Sequence, residues 1–488
     1  MGLILSADFG TTNLKAGLVD ERGNVLATES RPAKIMRPET GAAEHDAGAL
    51  WKDFCLISRK LVRGRERRIA AVSTSAYQLA IMAADSRLRP LTGMMTLLDT
   101  RPQSTYADMV RRIDHPRLYR ITGLPLFSQY PLAKLYWLRH RRPALFRRAR
   151  YWLNIKDFIM HRMTGELAAE LSLATATQMM DFRRHRWDPY ALAIAGAKES
   201  QFPPIVAGDR VLGRLTARAA DAMGLPAGLP VVPGVYDGGA LTLGIGGLVP
   251  HVATVNLGTT TMFRTSVTRP VIDLSPMMRL HTNAFLDGVW VTGAGVNNAG
   301  NTVAWFMRTF GVESYRELEA LAGKARRDVP PPVMFPYLTG ERAPYIGSKA
   351  TGAFWGLKDH HGGAEMARAM LTGIGYTLKF IQEGVKETGT RVAEVRSGGG
   401  GAHMDLWLRI LAGIFDLPVR RPVGENPSLV GNALIAQVAL RRYAGIVEAT
   451  RAMVRLGTVV RPVRQEVREH AAGFRRFADL LGKVRGGW

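Results

Sequence analysis

Cysteine is almost absent from this sequence, since Cys55 is the one cysteine in 488 residues. A single thiol cannot form an internal disulfide, which excludes a small secreted scaffold held by disulfides. Uninterrupted apolar runs of about 18 or more residues are also missing, so we expect no membrane-spanning helix. The first residues lack the basic stretch and cleavage site of a signal peptide. These absences predict a soluble protein of the reducing cytoplasm.

Acidic residues are scarce relative to basic ones. The chain has 41 Asp and Glu against 65 Lys and Arg, a formal net charge of +24, which is typical of some nucleic-acid-binding proteins. The basic clusters are dispersed, however, at 63–68, 139–150, 183–186 and 461–476. No zinc-ligand spacing, recognition helix or aromatic-basic RNA motif accompanies them. We therefore expect solvated helix faces, with attraction for anionic ligands as a second interpretation, and no nucleic-acid or membrane partner.

The chain is long enough for two or three domains, and 47% of its residues are hydrophobic. Strand-like and helix-like segments alternate along it, which predicts an α/β architecture. The glycine-rich stretch GIGGLVPH at 244–251 is a candidate hinge. We predict an N-terminal domain at 1–247, a C-terminal domain at 248–445 and a basic, helical tail at 446–488.

The opening stretch LSADFGTTNLKAGLV, residues 5–19, reads as two apolar strands around an unusual turn. A plain hairpin needs only a two-residue turn, whereas this one carries Asp8, Gly10, Thr11, Thr12 and Lys15. Glycine lets the backbone approach a ligand closely, successive N–H groups can hold an anion, and threonine hydroxyls add donors. The pattern predicts a phosphate-binding turn, with Lys15 adding charge and Asp8 holding a metal ion through water.

Two further segments strengthen this interpretation. HVATVNLGTTTMF at 251–263 repeats the strand, Gly-Thr-Thr turn and strand, and VAEVRSGGGGAHMDLWLRILAGIF at 392–415 places four glycines between a strand and an amphipathic helix. A single Gly-Thr-Thr sequence is explained by a tight turn alone. The two Gly-Thr-Thr turns together with the glycine-rich junction favour nucleotide binding. The four glycines do not fit the G-x-G-x-x-G register, which disfavours a dinucleotide-dependent oxidoreductase.

Asp237, in VVPGVYDGGALTLGIG at 231–246, is the candidate general base. Phosphoryl transfer to a hydroxyl needs a carboxylate that accepts the proton, and the flanking glycines leave room for a substrate. An acidic residue at a helix start is also an ordinary cap, so capping remains the alternative. The position just before the candidate hinge favours catalysis.

Taken together, these segments resemble the FGGY carbohydrate kinases of the actin-like ATPase superfamily. DFGTTNLK is similar to the family's first phosphate motif, NLGTTTMF to its second and GGGGAHMDLWLRILAGIFDLPV to its adenosine motif, while FPYLTGERAPYIGSKATGAFWGL at 335–357 is similar to a further family signature. The resemblance implies two actin-like (ribonuclease H-like) α/β domains with an ATP and sugar cleft between them. Glu341 and Arg342 of the last segment are also explained as a structural ion pair.

The resemblance also implies roles for individual residues. Asp237 would be the catalytic base, and Asp8 would hold Mg²⁺. The ATP-binding residues would be Gly10, Thr11, Thr12, Lys15, Gly258, Thr259, Thr260, Gly399, Gly400, Gly401 and Ala402. The substrate-binding residues would be Gln78, Asp99, Arg101, Asp237 and Asn297. ATP and Mg²⁺ are the implied cofactors, and a small sugar or sugar acid is the implied partner, with a homodimer as the assembly considered.

The substrate is indicated by three short segments. SAYQL at 75–79, YDGGALTLG at 236–244 and GAGVNNAG at 293–300 resemble the gluconate kinase branch. Leu79, Leu97 and Met404 depart from family positions that often carry other side chains, and sugars are discriminated by hydrogen bonds to their hydroxyls. D-Gluconate is the expected substrate. A xylulose or polyol kinase of the same family and a non-catalytic ATP-binding regulator are the alternatives.

Overall fold

The computed structural model describes residues 2–326, 328–341 and 349–484. Its strands, numbered along the chain, are β1 Leu3–Phe9, β2 Asn13–Val19, β3 Val25–Pro32, β4 Glu44–His45, β5 Ile69–Ala76, β6 Met82–Ala84, β7 Met94–Met95, β8 Tyr151–Leu153, β9 Ala169–Glu170, β10 Met180–Asp181, β11 Arg186–Trp187, β12 Ile205–Val206, β13 Gly213–Arg214, β14 Pro230–Val232, β15 Val252–Asn256, β16 Thr261–Val267, β17 His281–Leu286, β18 Val289–Val296, β19 Val333–Phe335, β20 Ala353–Trp355, β21 Glu394–Gly398, β22 Val419–Val423 and β23 Arg455–Val460.

The helices are α1 Ala47–Val62, α2 Gln103–Arg111, α3 His115–Thr122, α4 Pro131–Arg141, α5 Pro143–Arg148, α6 Ile155–Thr164, α7 Leu171–Thr175, α8 Pro189–Ala195, α9 Ala217–Met223, α10 Asp237–Gly244, α11 Gly300–Phe310, α12 Tyr315–Gly323, α13 Gly363–Glu387, α14 Asp405–Phe415, α15 Pro427–Ala439, α16 Ile446–Met453 and α17 Arg464–Val484. Within the described part of the chain, none of them is long and apolar enough to cross a bilayer.

Two large mixed sheets organise these elements. The first has six strands in the order β13-β14-β5-β1-β2-β3, and the second has seven in the order β17-β18-β16-β15-β21-β22-β23. Five two-stranded pairs complete the described strands. The α/β architecture predicted from alternating segments is therefore confirmed, with two sheets that each have their own hydrophobic core.

The two sheets share one local arrangement. In the first, β1 pairs antiparallel with β2 across the Gly-Thr-Thr turn and parallel with β5. In the second, β15 pairs antiparallel with β16 across the other Gly-Thr-Thr turn and parallel with β21. The repeat expected from the two short motifs is confirmed at the level of strand pairing.

The C-terminal part of the chain connects the two halves. Leu429, Ala433 and Leu434 of α15 are buried in the core of the first sheet, although α15 follows the second sheet's β22 in sequence. The tail expected to be helical contains α16 and α17 but also β23, the edge strand of the second sheet. Phe477 of α17 is buried in the second core, so this basic segment is part of the folded body.

Candidate active site

The first Gly-Thr-Thr turn lies at the end of the β1–β2 hairpin. Gly10 N–H donates to the carbonyl of Asn13 at 3.0 Å, and Asp8 and Lys15 are cross-strand partners at the base of the turn. Lys15 Nζ donates to Asn426 Oδ1 at 2.8 Å. Asn426 is the N-cap of α15 and has φ 56°, a left-handed conformation that asparagine tolerates. The lysine therefore joins the turn to a residue more than 400 positions away.

Asp8 is oriented by a short polar chain. Ser75 Oγ donates to Asp8 Oδ1 at 2.7 Å, and Asn432 Nδ2 donates to Ser75 Oγ at 2.9 Å. The same Asn432 amide also donates to the carbonyl of Ala7 at 2.9 Å. Because β1, β5 and α15 each contribute one member, the direction of the Asp8 carboxylate is fixed by tertiary packing.

Asp237 is the first residue of α10 and is preceded by the N-cap Tyr236. It is therefore not the capping residue, and its Oδ1 accepts a 2.7 Å hydrogen bond from the N–H of Gly238. Desolvation, together with the nearby Asp8 carboxylate, raises the pKa of Asp237 to about 7. A carboxyl with this pKa can accept a proton near neutral pH.

The second Gly-Thr-Thr turn and the glycine-rich junction are neighbours. The carbonyl of Leu257, directly before the turn, accepts from Gly401 N–H at 3.0 Å, and Leu257 N–H donates to Gly398 at 2.8 Å. Gly399 has φ 85°, and a Cβ there would lie 2.8 Å from the Leu257 carbonyl carbon. Gly400 has open space around its missing Cβ. The backbone at Gly399 is thus fixed by close packing, while Gly400 faces free volume.

A crevice of about 860 Å³ runs beside these turns. Its lining includes Gly399 and Ala402 from the glycine-rich junction, Asn426 beside Lys15, and the β3 residues Val25 and Ala27. Its volume is within the range of about 300–1,000 Å³ that is usual for small-molecule sites. The crevice therefore extends from two of the predicted adenosine residues to Asn426, the hydrogen-bond partner of Lys15.

A second, narrower space lies near the start of α10, and we call it the Gln78 cavity. It is lined by Gln78, Leu79, Leu124, Tyr130, Ala176, Met262, Arg264, His281, Asn283, Val291, Gly293 and Gly295. Arg264 links it to the candidate base, because its Nη1 donates to the Gly238 carbonyl at 2.8 Å. Gln78 Nε2 and Asn283 Oδ1 are buried atoms without a hydrogen-bond partner in the structure. Buried polar atoms normally have partners, so these two are available to bind a polar ligand.

Lys134 of α4 shapes one wall of this cavity. Its buried Nζ donates to the carbonyls of Leu79, Met95 and Thr96, which uses all three N–H groups of the ammonium. Leu79 has φ 64°, a strained conformation for leucine. Burial lowers the pKa of Lys134 to about 7. The lysine thus holds the segment after β5 against the segment that leads to Asp99.

Asp99 and Arg101 form an ion pair, as part of a larger cluster. Arg101 Nε donates to Asp99 Oδ1 at 3.0 Å, its Nη1 donates to Glu39 at 2.7 Å, and its Nη2 donates to Glu44. The guanidinium also lies 4.9 Å from the ring centroid of Trp137. Neither Asp99 nor Arg101 lines the Gln78 cavity. A contact of either residue with a substrate stays a prediction. Arg101 would have to make such a contact while it is paired with three carboxylates.

Asn297 follows β18 and belongs to a turn held by Glu341. Asn297 N–H donates to Glu341 Oε1 at 2.7 Å, and Asn298 Nδ2 donates to Glu341 Oε2 at 3.0 Å. The expected ion pair between Glu341 and Arg342 lies outside the described residues. Glu341 therefore stabilises the turn that precedes α11, and a substrate contact from Asn297 stays a prediction.

Four residues that contact the predicted site were not singled out from the sequence: Lys134, Arg264, Asn426 and Asn432. The sequence contains one indication of Arg264, because it is a charged residue within the otherwise uncharged strand TMFRTSV. Asn426 and Asn432 gave none, because their partners are more than 350 residues away along the chain.

Two family models cover most of the chain. The model of the N-terminal domain of the FGGY family of carbohydrate kinases matches residues 3–244, and the model of the C-terminal domain matches residues 253–440. This chain belongs to the FGGY family. The kinase is therefore a phosphotransferase that acts on a sugar hydroxyl, with the two-domain α/β fold of the family, and kinases of this family use ATP.

Relatives of the FGGY kinase include gluconokinases and xylulose kinases. The chain is 28% identical to a gluconokinase of Bacillus subtilis, covering 89% of this chain and 87% of the relative. It is 27% identical to a xylulose kinase of Escherichia coli, covering 91% and 92%. A crystal structure of gluconate kinase from Lactobacillus acidophilus superposes with a TM-score of 0.94 at 26% identity, covering 99% and 98%. These likenesses establish a sugar kinase and do not settle its specific substrate.

Proposed function

We propose that this FGGY kinase transfers the γ-phosphoryl group of MgATP to the terminal hydroxyl of a small open-chain sugar acid, with D-gluconate as the first choice. The observation that carries the proposal is the position of Asp237. It is half-buried at the start of α10, desolvation and the Asp8 carboxylate raise its pKa, and its neighbour Gly238 is bonded to Arg264 of the Gln78 cavity. Asp237 accepts the proton of the attacking hydroxyl and thereby activates the oxygen.

Two turns and the glycine-rich junction hold the nucleotide, on the other side of the reacting groups from Asp237. Gly10, Thr11, Thr12 and Lys15 bind phosphate oxygens from the first turn, and Gly258, Thr259 and Thr260 bind them from the second. Gly399, Gly400, Gly401 and Ala402 bind the adenosine part, where the open space beside Gly400 admits a ligand. Closing the two sides around the substrates excludes water that would otherwise accept the phosphoryl group.

A magnesium ion fits the residues around Asp8. Mg²⁺ is usually bound through one or two carboxylates together with phosphates and water. The Asp8 carboxylate is oriented by Ser75 through one oxygen, and it lies on the turn that carries the phosphate-binding residues. The described residues include no group of three or more His, Cys, Asp or Glu side chains suited to a metal. When bound, Mg²⁺ neutralises charge on the phosphates, and Asp8 orients it.

The substrate is inferred from the polar atoms of the Gln78 cavity and from the gluconokinase relatives. A polyhydroxylated chain supplies both a donor and an acceptor, as the unpartnered Gln78 Nε2 and Asn283 Oδ1 require. Asp99, Arg101 and Asn297 are further proposed contacts. Xylulose remains the second candidate because of the Escherichia coli relative.

The test is an ADP-release assay with D-gluconate, D-xylulose, glycerol and erythritol at low and moderate salt. We expect the highest kcat/KM for D-gluconate. This value should decrease as salt is added, because the net charge of +24 attracts an anion over long range. A higher kcat/KM for any neutral substrate would contradict the choice of gluconate. ADP release with none of the four would contradict the proposed substrate class.

A further inference from the structure

Arg264 differs from the other buried arginines of the described residues. Arg279 is 7% exposed and pairs with Asp273 at 2.7 Å, and Arg396 is 8% exposed and pairs with Glu394 at 2.8 Å. Arg264 is also 7% exposed, yet no described carboxylate forms an ion pair with it. Buried charges in proteins are normally paired, because taking a charge out of water is costly.

The hydrogen-bond and ring partners of Arg264 are all neutral, and its charge also opposes the rise in the pKa of the nearby Asp237. Nη1 donates to the Gly238 carbonyl at 2.8 Å, Nη2 contacts Met262 Sδ, and the guanidinium lies 5.3 Å from the ring centroid of Tyr236. These contacts fix the direction of the guanidinium without neutralising its charge. A planar guanidinium of this kind can bind a carboxylate through two parallel hydrogen bonds.

The surroundings of Arg264 favour an acceptor substrate over the nucleotide. Arg264 lines the Gln78 cavity, whereas Gly399 and Ala402 of the adenosine segment line the separate crevice. The same cavity contains the unpartnered Gln78 Nε2 and Asn283 Oδ1. One unpaired cation, one free donor and one free acceptor are complementary to a carboxylate attached to a polyhydroxylated chain.

We propose that Arg264 binds the carboxylate of the acceptor and is the residue that makes this kinase select sugar acids over uncharged polyols and ketoses. The inference rests on the proposed function, since it assigns a specificity residue to the same site. The cavity has a volume of about 60 Å³, which is too small for a six-carbon acid. The proposal therefore requires that the space between β16 and the segment of Gln78 and Leu79 widens when the acceptor binds.

The experiment compares two substrates that differ at one carbon. D-Glucitol has the carbon chain of D-gluconate with a CH₂OH group in place of the carboxylate, so the ratio of their kcat/KM values isolates recognition of the charge. We expect Arg264→Gln to lower this ratio by roughly 30-fold or more, the scale for losing hydrogen bonds to a charged group. Arg264→Lys keeps the charge but loses the planar pair of donors. Its ratio of kcat/KM values should therefore lie between those of wild type and Arg264→Gln.

Arg101→Gln tests the rival arginine, because Arg101 is also a proposed substrate contact but is neutralised by three carboxylates. This substitution should change kcat/KM for D-gluconate and for D-glucitol by the same factor. If Arg101→Gln lowers the ratio and Arg264→Gln does not, Arg101 binds the carboxylate and the inference is wrong. Equal losses for both substrates in Arg264→Gln would also overturn it, and would assign Arg264 to the transferred phosphoryl group or to folding.

Binding without turnover provides a second measurement. In an Asp237→Asn background, calorimetry should detect D-gluconate binding that is weakened by the added Arg264→Gln change, while thermal unfolding reports whether the double variant is folded. A wild-type enzyme that phosphorylates only neutral sugars would contradict the proposed function itself. A wild-type preference for gluconate that persists in Arg264→Gln contradicts the inference alone.

Discussion

Asp8 and Asp237 are two carboxylates from different parts of the chain whose charges act on each other. Asp237 is half-buried at the start of α10, and after desolvation the largest contribution to its raised pKa is the Asp8 carboxylate at the end of β1. Like charges in a poorly solvated site disfavour ionisation. The pKa of Asp237 is thereby brought close to neutral pH, which suits proton transfer. Asp8 is the carboxylate proposed to bind a cation.

Replacing Asp237 by Asn should remove the base with little effect on the nucleotide site. We expect kcat to fall by roughly 100-fold or more, the scale for loss of a general base, with the KM for ATP close to that of wild type. Asp221→Asn is the control, since the Asp221 side chain is 92% exposed on α9. Turnover within a few-fold of wild type in Asp237→Asn would remove this residue from the mechanism.

The same substitution should stabilise the fold above neutral pH. An acid whose pKa is raised on folding contributes full stability below its unfolded pKa, and this contribution is lost as pH rises toward the folded value of about 7. Asn carries no charge at any pH. Urea unfolding at pH 8 without magnesium should therefore give a higher midpoint for Asp237→Asn than for wild type, and a lower midpoint would contradict the assigned burial penalty.

Two adjacent glycines provide a matched test of the adenosine segment. Gly399→Ala forces a Cβ to within 2.8 Å of Leu257 backbone at φ 85°, so it should lower thermal stability. Gly400→Ala meets no protein atom within 4 Å and should leave stability unchanged while raising the KM for ATP. Kinetics with ATP and thermal unfolding separate the two effects. An unchanged KM in Gly400→Ala would show that the nucleotide does not approach this glycine.

Lys134→Met should affect the acceptor more than the nucleotide. Met95 and Thr96 carbonyls retain backbone donors from Ile81 and Asp99, so Leu79 alone loses its recorded partner. One orphaned buried carbonyl costs about 1–3 kcal/mol, and Leu79 is then free to leave its left-handed conformation. We expect reduced stability in urea and a raised KM for the acceptor with little change for ATP. Lys52→Met, at an exposed lysine of α1, is the control.

His470 should make stability sensitive to mildly acidic pH. Burial on α17 lowers its pKa to about 4, so the unfolded chain takes up the proton first as pH falls. The stability that neutral His470 provides is complete above about pH 6.5 and is lost between there and about pH 4, by about 3 kcal/mol. Unfolding of wild type and His470→Gln from pH 7 to pH 4.5 tests this. A difference between them that stays constant with pH would contradict it.

Local structure around the site was predictable from the sequence. The two Gly-Thr-Thr turns follow β1 and β15, the four glycines lie at the end of β21 and directly after it, and Asp237 begins α10, as expected. Each of these features depends on neighbours within a few residues. Strand alternation, glycine at crowded turns and helix periodicity act over that distance, so the pattern of residue types contains the necessary information.

Which residues meet in the site was decided by tertiary structure. Lys15 bonds to Asn426, and Asp8 is oriented through Ser75 by Asn432, because α15 packs on the first sheet after the chain has completed most of the second. Arg264 reaches Gly238 from the other sheet. Such contacts depend on how whole sheets and helices pack, and no local pattern encodes a partner hundreds of residues away. The sequence by itself therefore determined the two Gly-Thr-Thr turns and the helix start at Asp237, whereas packing decided that Arg264 lies beside Gly238.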